Sequence, residues 1–514
     1  MVIKILLLVV FFAGMVAVGI SARRHAVSVS GFVLGGRSVG PWLTAFAYGT
    51  SYFSAVVFVG YAGQFGWKYG LASTWIGLGN AAIGSLLAGV GLGRGTRVRA
   101  QDLGSSTMPD FFEKRFDSKP LKITASVIIF IFLIPYTASI YNGLSRLFEM
   151  AFNIPYAVCV VVMAAFTAVY VILGGYMATA ISDFIQGIIM LFGIVVVVAA
   201  VLSGQGGFMN AVYELAQLPS DAAPTLGQPG AFTAFFGPDP VNLLGVVILT
   251  SLGTWGLPQM IQKFYAIRTE KAVRTGTVIS TVFAVIVSGG CYFLGGFSRL
   301  FDDPAIYGAD GAVVYDSIIP FMLSKLPDIL IGIVVVLVLS ASMSTLSSLV
   351  LTSSSTLTLD LIKGNLWKNM REESQIRTMR VLIAVFVAVS VLLAINPPDF
   401  IAQLMGISWG ALAGAFLAPF LYGIYWKRVT RAAVWASFAC GVGLTVGNLF
   451  FHFIDSAINA GAAAMVLGLV VVPVVSLITP RQPDKRLQEI FSCYEEKTVL
   501  HKKMVVGTEK DNAE

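Results

Sequence analysis

The chain has 514 residues, of which 56% are hydrophobic and only 12% are charged. Soluble domains carry about 25% charged residues, so this composition excludes an ordinary soluble protein and indicates a membrane protein. The four cysteines and three histidines are scattered without paired spacing, which predicts neither a disulfide framework nor a metal cluster.

Thirteen apolar stretches are long enough to cross a bilayer, which takes about 20 residues of helix. Arg23 and Arg24 follow the first stretch directly, and it lacks a convincing small-residue cleavage site. We therefore interpret it as a retained anchor rather than a signal peptide. The predicted spans are 2–21, 41–66, 72–95, 121–150, 155–174, 181–203, 241–264, 273–297, 328–360, 378–396, 400–424, 430–453 and 460–479.

Lys and Arg are distributed unevenly between the two sides of the membrane that these spans define. One set of alternate loops, together with the tail 480–514, holds 24 of the 34 Lys and Arg residues, whereas the opposite loop 204–240 holds none. By the positive-inside rule, the N-terminus is expected outside and the C-terminus in the cytoplasm of a plasma-membrane protein. The net charge of +7 is then a topology signal, and no nucleic-acid partner is needed. The basic loops are 22–40, 96–120, 265–272, 361–377 and 425–431.

Two spans mix glycine, hydroxyl and aromatic residues in mid-membrane and are expected to be broken helices. The second span contains the run 48–55 (YGTSYFSA), and the seventh contains 250–259 (TSLGTWGLPQ), where Pro258 removes a backbone donor. Secondary transporters place their sites at such discontinuous helices. The two spans are five apart, so each is predicted to open one five-helix repeat. The alternative is that these small residues only allow close helix packing.

The ninth span is rich in hydroxyl groups, with Ser344, Thr345, Ser347 and Ser348 close together. Hard cations prefer several oxygen ligands, so this stretch is a candidate sodium site. The alternative is that each hydroxyl bonds to a carbonyl one turn back and has no role in binding.

Asp183 lies just inside the sixth span. A carboxylate at membrane depth is costly and is a functional candidate by default. It could contribute to an ion site or carry a proton, or it could be a hydrated acid near the cytoplasmic surface.

These residues together resemble the sodium:solute symporter family, over residues 30–480. The resemblance rests on an ordered set of short motifs rather than on any one of them. The motifs are Gly35-Gly36-Arg37-Ser38, Pro109-Asp110-Phe111-Phe112 with Arg115-Phe116, Gly174-Gly175 followed by Asp183, Gly256 to Gln259, and Met343 to Ser347.

The resemblance implies an all-α membrane protein of about thirteen transmembrane helices with the fold of the leucine transporter (LeuT). Its core would be an inverted five-helix repeat with one extra N-terminal and two extra C-terminal helices. The implied divisions are an N-terminal helix and loop (1–40), the first repeat (41–203), an extracellular loop (204–240), the second repeat (241–424), two further helices (425–479) and a cytoplasmic tail (480–514).

The resemblance also implies the ion sites. The sodium site common to the family corresponds here to Thr50, Phe53, Ala341, Ser344 and Thr345. The second sodium site of some members corresponds to Asp183, Ser344, Ser347 and Ser348, which suggests two sodium ions per cycle.

The substrate is expected to be a small organic solute. Proline transporters of the family carry an aspartate where this chain has Tyr52 and a tryptophan where it has Thr250, although Tyr136 agrees with them. The stretches 51–55, 58–60 and 68–71 look more like the pantothenate and monocarboxylate branches. The residues predicted to line the pocket are Tyr52, Ser54, Tyr136, Thr254, Trp255 and Gln259.

The expected function is sodium-coupled import by alternating access, with sodium as the coupling ion and the bilayer as the environment. Proton coupling through Asp183 is the alternative within the transporter class. A solute sensor with a transporter fold is a further alternative, although the tail after residue 479 is short for a signalling domain. No nucleotide-binding motif, catalytic constellation or obligate protein partner is apparent, so neither a primary pump nor an enzyme is expected.

Overall fold

The structure is a computed structural model that describes residues 2–396 and 400–492. Cys493 and most of the predicted cytoplasmic tail lie outside these residues. The described part of the chain is built from helices, joined by turns and short 3₁₀ segments. In its first half the helices are α1 Val2–Ala22, α2 Val29–Leu34, α3 Pro41–Tyr52, α4 Val56–Tyr61 continuing into Ala62–Tyr69, α5 at 74–102, α6 Met108–Phe116, α7 Lys119–Phe152, α8 Tyr156–Gly204 and α9 Phe208–Gln217.

The second half of the chain continues the same architecture. Its helices are α10 Pro240–Gly256, α11 Pro258–Ala266, α12 Glu270–Gly295, α13 Tyr315–Ser324, α14 Asp328–Thr356 with a π-helical continuation to Leu366, α15 Glu372–Ile395, α16 Ile401–Tyr425, α17 Arg431–Phe451, α18 Ala457–Ile478 and α19 Asp484–Phe491.

Ten helices of the described residues are long and apolar enough to cross a membrane, or eleven if α10 and α11 count as one bent span. The predicted count of thirteen is not confirmed, partly because adjacent predicted spans are continuous in the structure. Helix α8 has 49 residues and would be about 73 Å long if it were straight, more than twice the thickness of a bilayer core. It contains both predicted spans 155–174 and 181–203, and Gly175 interrupts it with φ 56° and ψ −147°.

The burial of the helices distinguishes the centre of the bundle from its periphery. Within their most apolar windows, 78% of the residues of α14 and 89% of those of α16 are buried, against 22% for α1 and 33% for α15. The outward faces of peripheral helices carry large apolar side chains such as Phe192 and Leu392, each 72% exposed. Apolar surface of this extent is suited to lipid rather than water, so the chain is a multi-pass membrane protein.

Helices α4 and α12 cross in direct backbone contact. A Cβ atom at Gly66 would lie 2.0 Å from the carbonyl oxygen of Gly295, and one at Gly295 would lie 2.1 Å from that of Ala62. Small residues allow such close approach between membrane helices. This crossing packs the helix that follows the first break against α12, close to the C-terminal end of α12.

Both predicted helix breaks are present. Helix α3 ends at Tyr52, and Phe53 is extended, with φ −108° and ψ 110°, before the chain becomes helical again at Ala55. Helices α10 and α11 meet at a 46° bend, where Leu257 is extended and Pro258 begins the second half. The two breaks expose backbone groups inside the bundle.

Candidate functional site

The first break meets the serine-rich helix α14 at the carbonyl of Thr50. Thr50 lies in the last turn of α3, where carbonyl groups lose their helical partners. The hydroxyls of Ser344 and Thr345 donate to this carbonyl at 2.9 and 3.2 Å. The same two hydroxyls lie 2.9 and 3.1 Å from the carbonyl oxygen of Ala341. Two carbonyl and two hydroxyl oxygens therefore form a closed ring, which we call the oxygen ring.

The oxygen ring is chemically suited to a sodium ion. All four residues are buried, and their oxygens are the hard, uncharged ligands that cations of this kind accept. Phe53, the fifth predicted ligand, lies at the break, where its ring stacks on Tyr52 at 4.4 Å between centroids. The structure thus brings four of the five predicted residues together, and the role of all five as sodium ligands stays a prediction.

The second predicted ion site contains a lysine that the sequence reasoning missed. Lys263 of α11 lies 2.9 Å from Ser348 Oγ and 3.6 Å from Asp183 Oδ2, measured from its Nζ atom. Asp183 and Lys263 are 0% and 2% exposed at their side chains. Lys263 falls inside the predicted span 241–264, so the rule that selected Asp183, an ionisable group at membrane depth, could have selected it too.

Two serines of the predicted second ion site, Ser347 and Ser348, make further hydrogen bonds. Ser347 donates to the carbonyl of Ser344 at 2.9 Å, a bond within α14. Ser348 Oγ also lies 2.9 Å from the hydroxyl of Ser51, in the last turn of α3. Ser348 therefore connects the first broken helix to Lys263 on the second.

A cluster of aromatic residues lies between the two breaks. The hydroxyl of Tyr52 donates to the carbonyl of Thr250, which joins α3 to α10. Trp409 of α16 stacks on Tyr52 at 6.0 Å and meets the edge of Tyr136 at 5.7 Å, between ring centroids. Trp409 was not among the predicted residues, because nothing in the local sequence of α16 marks it.

The remaining predicted pocket residues occupy different positions around this cluster. Thr254 donates to the carbonyl of Gly84 at 3.0 Å, and partly buried Trp255 donates from its indole to Ile83 at 3.0 Å. Ser54 accepts a bond from the backbone of Val56 within the break. Among the described residues, Tyr136 Oη, Trp409 Nε1 and both polar atoms of Gln259 are buried without a hydrogen-bond partner. Such buried groups need an explanation, and a polar solute would satisfy them.

A charged cluster surrounds Lys122 at one end of the bundle. Its ammonium lies 2.9 Å from Asp110, 2.8 Å from Glu113 and 3.5 Å from Asp360, and Thr107 donates to Asp360 at 2.6 Å. Burial by itself raises the pKa of the Asp110 carboxyl, but the ammonium groups of Lys122 and Lys114 outweigh it and hold the pKa below its ordinary value. Lys122 thus links the Pro109-Asp110 motif and the start of α7 to the end of α14.

Comparison with known proteins identifies the family. A model of the sodium:solute symporter family matches residues 32–441. The chain belongs to this family. Membership makes it a transporter with sodium as the coupling ion, as the resemblance of its motifs implied.

Relatives from this family align with most of the chain. The osmoregulated proline transporter OpuE of Bacillus subtilis (strain 168) is 28% identical over 95% of this chain and 96% of its own length. The sodium/proline symporter of Salmonella typhimurium (strain LT2) is 26% identical over 94% of each chain. The sodium/proline symporter of Escherichia coli (strain K12) is 28% identical over 85% of this chain and 86% of its own.

Solved structures show the fold. A Na+-coupled sialic acid symporter, in a substrate-bound outward-open state, superposes with a TM-score of 0.76 at 18% identity, over 93% of this chain and 98% of its own. A nucleobase-cation-symport-1 family transporter in a closed conformation gives a TM-score of 0.52 at 14% identity, over 89% and 97%. The symporter family member described here therefore has the LeuT-type fold, as predicted.

Proposed function

We propose that this chain imports a small carboxylate-bearing solute together with sodium, by alternating access. The observation that carries the proposal is the oxygen ring, in which Ser344 and Thr345 of α14 meet the Thr50 carbonyl at the break in α3. A sodium ion bound there would stabilise the contact between the broken helix and α14. The solute pocket proposed here begins at Tyr52, two residues further along the chain.

This adjacency supports coupling between ion and solute. Binding of the two ligands is reciprocal, so if sodium tightens solute binding, the solute tightens sodium binding by the same factor. At 100 mV one inward charge is worth about 2.3 kcal/mol, and a tenfold sodium gradient adds about 1.4 kcal/mol. Together, these two contributions would let one sodium ion drive the accumulation of a neutral solute by several hundredfold, as an order of magnitude.

Two kinds of observation support a carboxylate-bearing solute as the substrate. The aromatic faces of Tyr52, Tyr136 and Trp409 suit an apolar body, and the unpartnered polar atoms of Tyr136, Trp409 and Gln259 suit a polar head. The relatives described above transport proline, whereas the stretches around 51–55 and 68–71 favour pantothenate or a monocarboxylate. All of these solutes carry a carboxylate, so the class is proposed rather than one member of it.

The proposal includes the topology that the charge distribution predicts. The N-terminus would lie outside and the C-terminus in the cytoplasm, with α3 and α10 opening the two inverted repeats, 41–203 and 241–424. The thirteen-span count is part of this proposal, since it requires α8 to divide into two spans at Gly175 and the segment Val56–Asp102 to divide near Gly70, between α4 and α5.

Uptake by proteoliposomes tests the proposal. Purified protein would be supplied with labelled proline, pantothenate and short monocarboxylates, with and without an inward sodium gradient. Uptake of at least one carboxylate that depends on sodium is expected. Uptake that ignores sodium and follows an imposed proton gradient would overturn sodium coupling and favour Asp183 as a proton carrier.

A further inference from the structure

We propose that the ammonium of Lys263 takes the place of a second cotransported sodium ion, so that each solute enters with one sodium. This inference rests on the proposed sodium-coupled function and makes it more specific. It differs from the expectation of two sodium ions that the residues Asp183, Ser344, Ser347 and Ser348 suggest by resemblance.

The position of Lys263 is the first argument. Its Nζ atom lies 2.9 Å from Ser348 Oγ and 3.6 Å from Asp183 Oδ2, and 5.2 Å from the ring centroid of Tyr176. The carboxylate and one hydroxyl of the predicted ion site therefore already face a cation. That cation is covalently part of α11 and cannot leave with the solute.

Charge balance is the second argument. A buried carboxylate requires a compensating positive charge, and the lysine supplies it permanently. A sodium ion bound to the same carboxylate would be about 4 Å from the ammonium. Two like charges at that distance, in surroundings of effective dielectric constant about 20, would weaken sodium binding by about a thousandfold.

The use of the hydroxyl groups is the third argument. An ammonium has three donors and no acceptor, so Ser348 Oγ accepts from Lys263. Ser347 is bonded to the Ser344 carbonyl at 2.9 Å. Lys263 therefore occupies the Ser348 oxygen that a sodium ion at this site would need, and removal of the lysine would free that oxygen.

A structural consequence follows for the transport cycle. Lys263 joins α11 to α8 through Asp183 and to α14 through Ser348, and Ser348 continues to Ser51 at the end of α3. A tethered cation keeps these elements together whether or not sodium is bound. Only the sodium in the oxygen ring would then respond to the gradient.

The stoichiometry of sodium binding tests the inference. Labelled sodium would be titrated against the purified full chain in detergent, and the bound ions counted per protein. The wild type is expected to bind one sodium. Lys263→Gln, which removes the charge and leaves Asp183 uncompensated, is expected to bind two sodium ions. Its Hill coefficient for sodium-driven uptake should rise from about 1 towards 2. Adding Asp183→Asn to that variant should restore a count of one.

A matched lysine serves as the control. Lys68 lies 5.0 Å above the ring of Tyr315, away from Asp183, so Lys68→Gln should leave the count at one. Two ions on the wild type, or a count of one that Lys263→Gln does not change, would overturn the inference. If Lys263→Gln fails to fold, the wild-type count alone decides between one and two. A wild type that binds no sodium would overturn the proposed function itself.

Discussion

The hydroxyl of Ser344 lies 2.9 Å from the carbonyl oxygen of Thr50, although 294 residues separate the two in the chain. This contact joins α14 to the last turn of α3, just before the break at Phe53. Because the same hydroxyl also lies 2.9 Å from the Ala341 carbonyl, Ser344 is shared by both carbonyls of the oxygen ring.

Ser344→Ala should therefore weaken sodium binding. An interaction of a polar group with a charge is worth about 1.5–3 kcal/mol, so the sodium concentration for half-maximal uptake should rise about 10- to 100-fold. Ser354→Ala is the control, since Ser354 is buried on the same helix and donates to Leu351 at 3.1 Å. An equal effect of both substitutions would contradict a specific ion site at Ser344.

Tyr52→Phe should destabilise the contact between the two broken helices. The change removes the hydroxyl that donates to Thr250, and such a bond contributes about 0.5–1.5 kcal/mol. Thermal unfolding in detergent should show a lower midpoint. Tyr141→Phe provides the comparison, because the Tyr141 hydroxyl is buried without a hydrogen-bond partner among the described residues. Its removal should be neutral or stabilising, and the opposite ranking would contradict the prediction.

Gly295→Ala should disrupt the crossing of α4 and α12. The added methyl would lie 2.1 Å from the Ala62 carbonyl oxygen, and relief of such overpacking typically costs about 1–3 kcal/mol. Gly289 lies on the same helix, with nothing within 4 Å of an added Cβ. Gly289→Ala should therefore leave the unfolding midpoint unchanged or raise it, since alanine favours helix by about 1 kcal/mol. Equal midpoints for the two variants would refute the close crossing.

Lys122→Met should destabilise the charged cluster strongly. The substitution leaves Asp110, Glu113 and Asp360 without the ammonium that they share, and breaking such a buried pair costs about 3–5 kcal/mol. Lys119→Met, at an exposed position one turn earlier, should change stability little. The free energy of unfolding of the two variants, measured in the same detergent, distinguishes a specific cluster from a general effect of lost charge.

The charged cluster around Lys122 should also make the stability of the protein depend on pH through Asp110. The pKa of Asp110 is held below its ordinary value in the folded protein, so the folded state favours the ionised form. Its contribution is present in full above the ordinary aspartate pKa of about 3.9 and is lost as the pH falls through the lower folded value. The wild type should exceed Asp110→Asn in unfolding midpoint at pH 7, and this difference should shrink below about pH 4. A constant difference across that range would contradict the assignment.

Local pattern was sufficient to predict the two breaks and the hydroxyl-rich helix. Glycine, proline and hydroxyl residues at 48–55 and 250–259 disfavour a continuous helix by their own backbone chemistry. The resemblance to the family then related Thr50 to Ser344 and Thr345, and the structure brings them together. Lys263 could have been selected as an ionisable group within a predicted span, but its contact with Asp183 could not be predicted. The same holds for the contacts of Trp409, because the partners lie on other helices, which no local pattern specifies.

The sequence by itself determined the class of the molecule, since long apolar helices must satisfy their backbone groups internally in lipid and the basic loops predict one orientation. It also determined where helical structure would fail. Only the tertiary structure decided which buried groups face each other: Lys263 with Asp183, Ser348 with Ser51, and Trp409 with Tyr52 and Tyr136. These pairs are brought together by the packing of helices far apart in the chain, so their spacing in the sequence carries no information about their distance in space.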